Sequence, residues 1–184
     1  MRTLNACIVA GQRGFSADPH RTTPQTHEQS GLGATTVSHR IKSALFLDFD
    51  NIYGGLHALD YEQANAMANE PWLWLERILK RASSDRKRDV LVKRAYLNPA
   101  GRVVNRDGSR QYFSSIRPQL TRSGFEIIDC PSLTSTGKNA ADIRIVMDVL
   151  EYLSRSSGYE EFIIASSDAD FTPLLHHRGC PICC

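Results

Sequence analysis

No stretch of about 18 apolar residues occurs in the 184-residue chain, so no membrane-spanning helix is expected. The first residues include Arg2 but lack the apolar core of a secretory signal, which points to a cytoplasmic protein. Acidic residues are missing before Asp18, as in a transit peptide, yet the Gly and Pro of that stretch work against an amphipathic helix. Cysteine is scarce and odd in number: Cys7 and Cys130 are isolated, and Cys180, Cys183 and Cys184 crowd the end. Cys180 and Cys183 have CxxC spacing, but no second CxxC or spaced His pair follows, and the adjacent His176 and His177 do not complete a zinc set. This usage fits a reducing compartment. Acid is also scarce between Arg77 and Arg122, where thirteen Lys and Arg face only Asp85, Asp89 and Asp107. Such a stretch suits a polyanionic partner, although a solvated face is the commoner origin of charge runs.

What is present suffices for one domain with one core, at 41% apolar residues. Residues 1–40 are rich in Gly, Ser, Thr, Pro and Gln without apolar periodicity, and read as a disordered leader. The domain spans residues 41–179, and residues 180–184 form an irregular Cys-rich tail. Ser43–Asp48 is a continuous apolar run, the mark of a buried strand. Asp60 caps a short helix, Pro71 opens another through Lys80, and Asp89–Leu97 is strand-like. A helix is predicted from Ser109 to Arg122, stopped by Gly124, and a strand over Phe125–Cys130. Ala140–Leu153 is an amphipathic helix with Ile143, Val146, Met147 and Leu150 on one stripe. Glu161–Ala165 is a fourth strand, and Asp170 or Thr172 begins a last helix. Alternating strands and helices imply βαβ units, a mostly parallel sheet and helices on both faces.

In such sheets the site lies beyond the carboxyl ends of the strands. The apolar run ALFL ends there in Asp48-Phe49-Asp50-Asn51, and the fourth strand ends in Ser166-Ser167-Asp168-Ala169-Asp170. A third cluster, Gly137-Lys138-Asn139-Ala140-Ala141-Asp142, opens the amphipathic helix, with Asp148 two turns on. Each aspartate alone is as readily a helix cap, and Asn51 a turn residue. Three clusters at one sheet edge favour a shared site. Converging carboxylates repel one another unless cations neutralise them, and hard oxygen ligands select Mg²⁺ or Mn²⁺. One ion or a pair fits this pattern. The metal-held water would attack a phosphodiester in line, with Arg94, Arg102, Arg106 and Arg110 holding the backbone. Ser166 and Ser167 have no histidine placed as a base and read as orienting groups. Trp72 and Trp74 read as core.

LDFDN-x-YGGL at 47–56, GKNAADIRIVMDVL at 137–150 and SSDADFTPLL at 166–175 resemble the NYN domain, a branch of the PIN-like nucleases. The resemblance covers roughly residues 42–178. It implies an α/β/α sandwich and metal-dependent cleavage of RNA, single-stranded by expectation. By position, it implies that Asp48 and Asp168 are principal metal ligands and Asp142 and Asp170 the remaining carboxylates. It implies that Asn51 is a site-orienting amide and Lys138 a phosphate contact. Two departures stand out. Ser167 replaces the usual Gly, and the chain leaves the pattern after PLLHHRG, so that HHRGCPICC reads as a truncated or frameshifted end.

Two rivals share some of these features. An apolar strand followed by Asp-x-Asp also opens haloacid-dehalogenase-like phosphatases, but Asn51-Ile52-Tyr53 departs from their usual continuation. A non-catalytic RNA-binding protein of the same fold is the other. The sequence leaves a homodimer open.

Overall fold

Strand β2 (Ile41–Asp48) runs through the centre of a six-stranded sheet. The computed structural model describes residues 7–12, 40–82, 87–132, 140–154, 158–171, 174 and 182–183. In chain order the elements are β1 (Cys7–Gln12), β2, α1 (Phe49–Leu59), α2 (Tyr61–Asn69), α3 (Pro71–Ala82) and β3 (Arg88–Leu97). There follow β4 (Arg102–Val104), β5 (Arg110–Tyr112), a 3-10 turn, α4 (Arg117–Arg122), β6 (Glu126–Asp129), α5 (Ala141–Ser154), β7 (Glu161–Ser166) and β8 (Ile182–Cys183).

The sheet order is β6-β3-β2-β7-β1-β8, and β6, β3, β2 and β7 are mutually parallel. Leu45 and Leu47 pack against the layer of α1 to α4, whereas Ala44 and Phe46 face α5 on the other side. Both faces of β2 are therefore covered, which explains an unbroken apolar run rather than alternation. The expected three-layer α/β/α sandwich is the architecture observed, and it sets the carboxyl ends of four strands along one edge.

Two segments that the patterning leaves without structure carry strands. β1 pairs antiparallel with β7, and β8 pairs with β1. The run CIVAGQ is short and lies among polar residues, so periodicity passes over it, yet it covers the otherwise open edge of β7.

Three local readings are corrected. α1 follows β2 directly and buries Phe49, Ile52, Tyr53 and Leu56 on one stripe. The pair Gly54-Gly55, each costing about 1 kcal/mol in a helix interior, obscures that stripe in the sequence. The helix expected from Ser109 begins only at Arg117, because residues 102–112 form the β4–β5 hairpin. Gly108 turns it at φ +81, and the Asp107 carboxylate accepts from the Ser109 N–H and hydroxyl.

The third correction concerns α5. Its stripe of Ile143, Met147 and Leu150 faces solvent, with Ile143 65% and Met147 59% exposed. The opposite face, carrying Ala141, Ile145, Asp148 and Val149, is buried. Asp148 decides the rotation. It is only 2% exposed and accepts from the Tyr96 hydroxyl at 2.7 Å, Arg94 at 3.0 Å and Arg144 at 3.1 Å. A buried carboxylate without those donors would be prohibitive.

Candidate active site

Asp48 is the last residue of β2, 2% exposed, where the strand passes into α1. Ser166 ends the neighbouring strand β7, and its hydroxyl donates to Asp48 Oδ2 at 2.8 Å. The Ser166 hydroxyl oxygen also accepts the backbone N–H of Asp168 at 3.1 Å. One serine thus ties together the two strand ends and both of their aspartates. Asp168 Oδ1 in turn accepts the N–H of Asp170 at 2.9 Å, shaping the 3-10 turn over Ala169–Phe171.

Asn51 lies in the first turn of α1. Its Oδ1 accepts the Ser167 N–H at 3.0 Å and also the Ser167 hydroxyl. The amide therefore ties the turn after β7 to the first turn of α1. Asp50 takes a different part: both of its oxygens accept the Asn98 N–H at 3.1 Å, fixing the chain as it leaves β3.

Asp142 is half-buried in the first turn of α5. Its carboxyl is raised above the usual range by burial, then by the charges of Asp168 and Asp170. Burial also pushes Asp48 up to about 6, aided by Asp142 and Asp168 and opposed by the hydrogen bonds from Ser166 and the Asn51 backbone. The carboxylates on β2, on α5 and after β7 therefore act on one another across a single space. Among the described residues none of Asp48, Asp142, Asp168 and Asp170 makes an ion pair.

Among the described residues no three His, Cys, Asp or Glu side chains already stand in a metal-holding group. The chemistry of the donors nevertheless fits a hard divalent cation: four carboxylates, of which Asp48 and Asp142 are raised above their usual range by burial and then by neighbouring carboxylate charges.

Arg94 departs from its expected role. It is held by Glu126 at 2.8 Å and by Asp148 at 3.0 Å, so it supports α5 rather than facing a ligand. Arg102, Arg106 and Arg110 lie on the β4–β5 hairpin, all exposed, and among the described residues none is ion-paired. Lys138 falls outside the described residues, as do Thr172 and Pro173 after the last turn. The joining role of Ser166 has a signal in the sequence: a Ser at the end of an apolar strand, two residues before Asp.

No helix among the described residues is long and apolar enough to cross a membrane. No curated protein and no solved structure matches the chain. The model of the NYN domain matches residues 42–178, which takes in β2 from Lys42 onward and the four carboxylates Asp48, Asp142, Asp168 and Asp170. The chain belongs to the NYN domain family, within the PIN-like nuclease superfamily.

Proposed function

We propose that the protein is a metal-dependent ribonuclease that hydrolyses phosphodiester bonds in single-stranded RNA in a reducing cytoplasm. One observation carries the reading: Asp48, buried at the end of the central strand, shares its surroundings with the charges of Asp142 and Asp168. Structural carboxylates do not need such neighbours, whereas a cation site does.

Asp48, Asp142, Asp168 and Asp170 would hold Mg²⁺ or Mn²⁺. When bound, such an ion lowers the pKa of a water and stabilises the leaving oxygen of a phosphodiester. The chain does the rest. Ser166 keeps Asp48 and Asp168 at fixed separation, and Asn51 holds the β7 turn against α1. Arg102, Arg106 and Arg110 neutralise backbone phosphates, with Lys138 as a further phosphate contact.

The test is cleavage of labelled single-stranded RNA in Mn²⁺, Mg²⁺ or EDTA, with folding checked by circular dichroism. Wild type should cleave only with metal. Asp48→Asn and Asp168→Asn should each lose about 10²–10³-fold, with RNA affinity little changed. Equal cleavage by folded Asp48→Asn would sink the assignment.

A further inference from the structure

The β4–β5 hairpin leaves the sheet at the edge that carries the carboxylates. Its root is fastened there, since Asp50 accepts the N–H of Asn98 just beyond β3. Gly101 at its base lies so close that an added Cβ would run into the Phe113 ring and the Asn98 carbonyl. Phe113 is buried edge-on against Phe49 and Tyr53, the first at 5.5 Å and the second at 5.7 Å. Two side-chain bonds brace the hairpin on α1: the Tyr53 hydroxyl donates to Gln111 at 3.0 Å, and His57 Nε2 lies 3.0 Å from Asn105 Oδ1.

Alternation along this braced ribbon sorts its side chains. Val103 and Gln111, a register pair, are half-buried toward the domain. The outer face carries the register pairs Arg102 with Tyr112 and Val104 with Arg110, all exposed. Tyr112 is 43% exposed and Val104 60%, an apolar surface with a cation at either end. The Arg102 guanidinium stands 6.0 Å from the centre of the Tyr112 ring. Arg106 sits at the turn, where the one acid, Asp107, is occupied by Ser109.

We infer that this outer face is a stacking platform for an unpaired base of the RNA strand, with the Tyr112 ring under the base and Arg102 and Arg110 on the flanking phosphates. The inference rests on the ribonuclease reading for the identity of its ligand. An exposed ring with the Arg102 guanidinium beside it and Arg110 two residues along the same face matches the alternating π-face and charge of a single strand. A duplex offers its phosphates but no free base face, so the platform selects single-stranded over paired RNA.

Binding is to be measured in EDTA, apart from cleavage, by anisotropy of a labelled single-stranded RNA and by quenching of a 2-aminopurine within it. A duplex of the same sequence is the comparison. Tyr112→Ala should weaken single-strand binding about tenfold and abolish the quenching, while Tyr112→Phe retains both. Duplex binding should not respond to Tyr112, and Arg102→Gln should flatten the salt dependence of both. Tyr112→Ala binding like wild type, or weakening single strand and duplex alike, would overturn the platform. If that happens while wild type cleaves with Mn²⁺, the ribonuclease reading stands and the platform falls. If binding depends on Tyr112 and folded wild type does not cleave with Mn²⁺ or Mg²⁺, the platform stands and the ribonuclease reading falls.

Discussion

The two ends of the central sheet treat buried carboxylates in opposite ways. At the amino end, Glu161 begins β7, fully buried, and is matched by protein groups: Arg88 donates to both oxygens at 2.7 and 3.1 Å, and the Ser43 hydroxyl donates at 2.6 Å. At the carboxyl end, Asp48 is almost as buried but meets Asp142 and Asp168 instead of a cation. Asp148, in the layer behind, follows the first pattern through Arg94, Arg144 and Tyr96. Where a buried carboxylate serves the fold, the chain supplies its counter-ion. Among the described residues, the site is the place where it does not.

The largest effect that would break this contrast lies at the amino end. Glu161→Ala leaves Arg88, whose side chain is only 10% exposed, without its partner. A loss of about 3–5 kcal/mol in urea unfolding is expected. A loss below about 1 kcal/mol would show that this pair is not matched as described.

A smaller effect of opposite sign is expected at the carboxyl end. Asp48 ionises near 3.8 in the unfolded chain and near about 6 when folded. Below the first value it is protonated in both states and costs nothing. As pH rises through the second, the folded state must hold the charge and gives up stability. Asp48→Asn keeps an acceptor for Ser166 and removes the charge, so in the absence of divalent ions it should stabilise the protein at pH 8 by about 2–3 kcal/mol. The gain should vanish near pH 4. Denaturant midpoints of both proteins at the two pH values check this, and a destabilised variant at pH 8 would contradict it.

The smallest effect tests the rotation of α5. Met147→Glu, on the exposed stripe, should change stability by no more than about 0.5 kcal/mol. Ile145→Glu, on the fully buried face, should prevent folding. The reverse outcome would restore the rotation that periodicity alone suggests.

That rotation shows where sequence reading stops. Strands β2 and β7 are legible as short apolar runs, and β3 and β6 as β-like stretches that Asn98-Pro99 and Pro131 close. The paired Asp-x-Asp endings are legible because a parallel sheet brings such ends to one edge. Asp148 is different. Its partners Arg94 and Tyr96 lie some fifty residues away, and apolar counting cannot see a buried polar network. By charge alone Arg94 is indistinguishable from a substrate contact, because its partners Glu126 and Asp148 are distant in sequence. A charge run counted as one basic patch contains both a buried ion-pair member and the open arginines of the hairpin. The hairpin itself hides because β4 and β5 are three residues each, too short for a period to register.

The central claim is that the uncompensated carboxylates at the carboxyl end hold a divalent cation. Titration calorimetry of Mn²⁺ into the full chain, beside Asp48→Asn and Asp168→Asn, measures this directly. Binding by wild type that is lost in both variants, with a matching rise in the wild-type denaturation midpoint, is the predicted result. Equal Mn²⁺ binding by all three folded proteins, or none by wild type, would contradict it.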